Sequence, residues 1–195
     1  MPLGEPDILD RHAVPRHRLT VVDYHRLGEA GILGADDRVE LLEGQLVDMS
    51  PIGPRHAFVV EALTEALVTA VAGRAGVRPQ NPIILDDRSE PQPDFAVVRR
   101  RAPGHPYSHP GPADILLLIE VADSSLAIDR GAKLALYARA GISEFWLVDL
   151  TTDCVFVHRD PMGESYATVR RVEPPATLEI SGLPGVAIET ASMFM

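Results

Sequence analysis

From Ile115 to Val121 the chain is apolar at every position except Glu120. No alternation of polar and apolar residues breaks this run, so neither face of a strand formed here can meet water. The pattern is that of a central strand in a parallel or mixed sheet covered on both sides. Its neighbours read as PDFAVV (Pro93 to Val98), DSSLAIDRGAKLALYARAG (Asp123 to Gly141) and EFWLVDL (Glu144 to Leu150), giving the order strand, strand, helix, strand. An α/β fold with a mixed central sheet flanked by helices follows.

The one charge in the run is the next constraint. An ionised carboxylate inside an apolar layer is costly unless a cation or hydrogen bonds meet it. Asp94 poses the same problem at the start of its own strand, and two neighbouring strands can bring both acids to one edge of the sheet. The helix that follows offers Asp129, Lys133 and Tyr137 at i, i+4 and i+8, on one face. Ile128, Ala132, Ala135 and Leu136 are its expected docking residues. Two acids, a lysine and a metal-sized gap are the ingredients of phosphodiester hydrolysis, in which an ion activates water and offsets charge on phosphate. The same groups can instead form a buried ionic network that holds helix to sheet.

These residues also carry a resemblance. RVELLEGQLVDMSP (Arg38 to Pro51) with His56, QPDFAVV (Gln92 to Val98) and IEVADSSLAIDRGAKLALYARAGISEFWLVDL (Ile119 to Leu150) resemble the Uma2 family, restriction-endonuclease-like proteins. The resemblance covers the chain after about its first twenty residues and implies a PD-(D/E)xK nuclease core with N- and C-terminal hairpins. It further implies Asp94, Glu120 and the backbone carbonyl of Val121 as ligands of one Mg2+ or Mn2+, hard ions suited to oxygen donors. Lys133 would orient or deprotonate water, or offset transition-state charge. The usual lysine position, two residues after the acid, is occupied here by Ala122, so Lys133 must reach back from the helix. Glu40 is an accessory acid by the same resemblance, or else a surface strand residue.

The remaining chain adds detail. Residues 1–18 read as a polar lead-in and residues 19–195 as a single domain, a length sufficient for one core. Thr20 caps a short helix from Val21 to Ala30, with His25 on its solvent side. A hairpin turns at Glu43-Gly44, and Pro54 to Val71 form an amphipathic helix with a stripe of Phe58, Ala62, Leu63, Ala66, Leu67 and Ala70. His56 lies in its first turn, where a neutral ring is favoured. It bonds phosphate or an acid, or it simply caps and packs. Ile83 to Leu85 read as a strand. Arg99-Arg100-Arg101 are a local basic source or a solvated loop, and His105 and His109, separated by proline, do not form a metal pair. Asp123 to Ser125 cap the helix after Ala122. A last hairpin turns over Asp160 to Gly163, and Trp146 belongs in the core.

The charge of −10, from 28 acids against 18 Lys and Arg, opposes tight nonspecific nucleic-acid binding but not a local groove holding an ion. Nucleic acid, in the first place DNA, is the expected partner. A homodimer is also expected through an exposed sheet edge near the last hairpin. The single cysteine, the lack of an 18-residue apolar run and a start without signal-peptide character point to a cytoplasmic protein without membrane contact. The competing reading is a noncatalytic nuclease-like scaffold that binds a protein partner.

Overall fold

A computed structural model describes residues 14–34, 36–100 and 108–194; most of the lead-in, Arg101 and His105 lie outside the described residues. Six strands form the central sheet: β3 (Ala75–Pro79), β4 (Phe95–Arg99), β5 (Ile115–Ala122), β6 (Glu144–Asp149), β7 (Cys154–Met162) and β8 (Ser165–Val172), adjacent in that order. All pair antiparallel except β5 and β6, which run parallel and are joined through the helical segment between them. β5 is buried along its whole length, as the apolar run requires.

Alternation along the strands divides two cores. Phe95, Val97, Ile119, Val121, Trp146 and Val148 face one side, where α2 (Pro54–Val71) packs with the ribbon of β9 (Thr177–Glu179) and β10 (Ala187–Glu189). Ala96, Val98, Leu118, Ala122, Phe145 and Leu147 face the other, beneath the helical segment and the hairpin of β1 (Val39–Leu42) and β2 (Gln45–Asp48). Glu120, between Ile119 and Val121, belongs by alternation to this second face.

Three successive parts make up the helical segment: α3 (Leu126–Ile128), a π-helical stretch (Asp129–Lys133) and α4 (Leu134–Arg139). Of the expected docking residues Leu136 is buried and Ile128 and Ala135 are half-buried, but Ala132, within the wider winding of the π-helical stretch, is exposed; Tyr137 and Ala138 are buried beside Leu136. On α2 the buried residues are Val59, Leu63, Leu67 and Val71, while Phe58 stays exposed, so the stripe is turned from the alanine-rich one expected.

Smaller expectations hold or shift. Thr20 caps α1 (Val21–Glu29) through a reciprocal capping box with Asp23, and Glu43 and Gly44 turn the first hairpin with φ of 49° and 74°. Ile83 to Leu85 are not a strand of any sheet; this short loop folds back on itself through Ile83 to Pro91 and Leu85 to Ser89 backbone bonds, burying Ile83 and Leu85. The last hairpin turns after Met162, which pairs with Ser165, so Asp160 and Pro161 are strand residues. Trp146 is fully buried, its indole N–H donating to the buried Glu144, which Arg159 and Ser181 also meet. Among the described residues no helix is long and apolar enough to cross a membrane.

Candidate active site

Strand polarity brings the C-terminal end of β5 beside the N-terminal end of β4, and this edge is where the chemistry-bearing side chains gather. Beyond the Phe95–Ile119 pair, the N–H of Asp94 lies 3.3 Å from Glu120 Oε2, and the N–H of Val121 donates to Asp94 Oδ2 at 2.8 Å. The two acids are thus joined through each other's backbone. Lys133 Nζ reaches back to within 3.1 Å of Glu120 Oε1 and 3.1 Å of Glu40 Oε2, with Asp129 at 3.9 Å. Tyr137 donates its hydroxyl to Glu120 Oε1 at 2.6 Å.

The local chain explains these directions. Glu40 sits on a four-residue strand whose partner residues leave it buried, and Gln92 N–H donates to its carboxylate at 3.1 Å. The π-helical stretch carries both Asp129 and Lys133 inward, each almost wholly buried. Ser125 stands at the start of α3 but makes no side-chain cap; its hydroxyl donates to Asp129 at 2.5 Å instead, a correction to the capping role expected for it. His56, in the first turn of α2, bonds Asp94 through Nε2 at 3.1 Å, and its buried Nδ1 has no hydrogen-bond partner among the described residues.

Electrostatics follow from burial. Removal from water pushes Glu120 well above the usual carboxylate range; Lys133 opposes the rise, and Asp129, Asp94 and Glu40 add to it. Burial likewise lifts Asp129 to about 6, with Lys133 and the Ser125 hydroxyl pulling the other way. For Lys133 burial favours the neutral amine, but Glu120, Glu40 and Asp129 outweigh it and hold the ammonium strongly protonated. The bond to Asp94 raises His56 against the opposing effect of burial, a shift opposite in direction to that expected from the helix N-terminus alone.

Around these groups lies a cleft of about 120 Å³. Six carboxylates line it (Glu40, Asp48, Asp94, Glu120, Asp123 and Asp129) against Arg38 and Lys133. Among the described residues, no group of three or more His, Cys, Asp or Glu is arranged to hold a metal ion. Two adjacent carboxylates do fit Mg2+, which commonly binds through one or two acids and keeps several waters. The excess of buried negative charge also favours a cation there.

Arg99 and Arg100 are not near this edge. Arg99 is the last residue of β4, a strand of five residues at about 3.3 Å each, and Arg100 follows it; at that far end they bond the carbonyls of Ala113 and Gly73. His109 approaches Glu90 at 3.9 Å, and His25, though exposed, also bonds Glu90, at 2.7 Å. Two glutamines escaped sequence reasoning: Gln80 Nε2 lies 3.3 Å from Asp94 Oδ1, and Gln92 ties its own amide to the Gln80 carbonyl. Gln92 borders the PD pair. Gln80 carries no periodic signal and sits at a φ of 47° in a loop.

Comparison with known proteins places this geometry in context. The family model Uma2, described as "Putative restriction endonuclease", matches residues 21–191. The fold is similar to the crystal structure of "a putative nuclease belonging to DUF820" from Anabaena variabilis ATCC 29413, with a TM-score of 0.71 at 17% identity over 90% of this chain and 97% of that one. Likeness at this identity is one of fold. No curated protein matches the chain.

Proposed function

The chain belongs to the Uma2 family, and from that premise we propose that it is a metal-dependent endonuclease hydrolysing phosphodiester bonds of nucleic acid, in the first place DNA. The observation that carries this reading is the meeting of Asp94, Glu120 and Lys133 at one edge of a nuclease-like sheet, in a small cleft with an excess of acids.

Asp94 and Glu120, with the Val121 carbonyl, would hold one Mg2+ or Mn2+. When bound, the ion supplies an activated water and offsets charge on the phosphate. The protein's own groups do the positioning. Tyr137 and Lys133 fix Glu120 Oε1, which leaves Oε2 as its less engaged oxygen. His56 and the Val121 N–H fix the Asp94 carboxylate. Lys133, held as an ammonium by three acids, donates hydrogen bonds to water or phosphate rather than accepting a proton. Glu40 and Asp129 keep that ammonium aimed at the strand end, which is how a lysine on the helix serves where Ala122 occupies the usual position.

The test is cleavage by purified protein at low salt, where a weak hold on phosphates is not screened. Nicking or cutting with Mg2+ or Mn2+, abolished by chelation and reduced at least about a hundredfold by Asp94→Asn, is expected when several kcal/mol of transition-state stabilisation is removed. A second reading, a noncatalytic scaffold for a protein partner, draws support from the closed ionic network around Lys133. Absence of both metal binding and cleavage across DNA and RNA substrates would favour it.

A further inference from the structure

Glu120 heads a row of residues that crosses the sheet. It pairs with Leu147 on β6, Leu147 with Phe156 on β7, and Phe156 with Arg171 on β8. Residues directly opposite one another share a face, and strands lie about 4.8 Å apart, so Phe156 stands about 10 Å from Glu120 on the cleft side of the sheet. Over its ring, 5.3 Å from the centroid, lies the guanidinium of Arg130.

Arg130 comes from the π-helical stretch that sends Asp129 and Lys133 into the cleft, but it is exposed. No carboxylate partners it among the described residues. Beside it lies a shallow, open groove lined by Ser124, Leu126, Ala127, Arg130 and Gly131, and Ser124 lines the cleft as well. Among the described residues no acid lines this groove, in contrast to the six of the cleft. A polyanion whose reacting phosphate sits over Asp94 and Glu120 must lead its flanking phosphates away from those acids, and the groove is an acid-free route. Stacking on Phe156 leaves the guanidinium edge free to donate, and it holds the side chain in place before a ligand arrives.

Resting on the endonuclease reading above, we propose that the Ser124–Arg130 groove carries the substrate strand out of the cleft, with Arg130, steadied on Phe156, bonding a phosphate next to the one hydrolysed. This is a contact to backbone rather than to bases, so it would add affinity without sequence preference.

Binding separates this proposal from its premise. Full-length protein carrying Asp94→Asn, which suspends cleavage, is titrated at low salt against fluorescein-labelled DNA of mixed sequence, duplex and single-stranded, and against RNA. Adding Arg130→Gln is expected to weaken binding about tenfold and to lower the slope of log affinity against log salt by about 0.7–0.9, the signature of one lost phosphate contact. Arg130→Lys should retain most of the slope. The melting temperature, followed in parallel, should fall by no more than a few degrees, the loss of one exposed cation–π contact. Equal affinity and slope with and without Arg130→Gln, in a parent that binds, would overturn the groove and leave the endonuclease reading standing. Failure of the parent to bind any of the three nucleic acids would overturn both.

Discussion

Asp129→Asn should make the protein more stable at neutral pH while impairing the site it belongs to. Burial raises the Asp129 carboxyl from its ordinary 3.8 to about 6. The difference, at 1.36 kcal/mol per pH unit, is about 3 kcal/mol. Below about pH 3 the group is protonated in folded and unfolded chains alike and contributes nothing. Between about pH 3 and 6 the unfolded chain releases its proton first, so stability falls as pH rises, and well above about pH 6 the loss is complete. The attraction of Lys133 is already contained in that value, so no further correction applies. Asparagine keeps an acceptor for the Ser125 hydroxyl and carries no charge to desolvate. Urea denaturation of both proteins in chelator, at pH 4.5 and pH 8, should therefore show Asp129→Asn more stable by about 1 kcal/mol at pH 4.5 and by up to about 3 kcal/mol at pH 8. Divalent ion should then stabilise the unmutated protein more at pH 8 than at pH 4.5, because a cation relieves the same repulsion. Parallel pH dependence of the two proteins in chelator would refute the claim that Asp129 is held ionised at a cost.

Removing Lys133 has the opposite sign: Lys133→Met strands Glu40, Glu120 and Asp129, and a loss of about 3–5 kcal/mol is expected in denaturant melts, with turnover collapsing while calorimetry still detects the ion. Normal cleavage by this variant would defeat the displaced-lysine mechanism. Tyr137→Phe deletes one hydrogen bond to Glu120 and should cost about 1.5–3 kcal/mol of stability, measured by the same melts; an unchanged midpoint would show the bond contributes little. The open edge of β8, where Val169 is exposed, invites a two-fold dimer, and sedimentation should then show a species near twice the 21.2 kDa chain at tens of micromolar. A single monomeric boundary would remove that expectation.

Local chemistry made much of this protein readable from its residues. The apolar run of β5 required burial on both faces, Thr20 and Glu43-Gly44 marked a cap and a turn, and Pro54 to Val71 declared a helix, because each signal lies within one turn or one strand. Asp94, Glu120 and Lys133 could be named as a set because a lone charge beside an apolar strand demands a partner. Which face each helix buries was settled only in three dimensions. Asp129, Lys133 and Tyr137 share the inward face that their spacing implied, but a π-helical stretch leaves Ala132 facing solvent, and no pattern of apolar spacing encodes that extra winding. Distance hid Gln80 and left Glu40 open between an accessory acid and a surface strand residue, since contacts between residues far apart in the chain depend on how sheet, hairpin and helices pack. Arg99 and Arg100 show the same limit from the other side. Adjacent in sequence to the strand that Asp94 begins, they are carried by its extended backbone to the far end of the sheet, and the cation that meets the acids comes instead from a helix wound back over them.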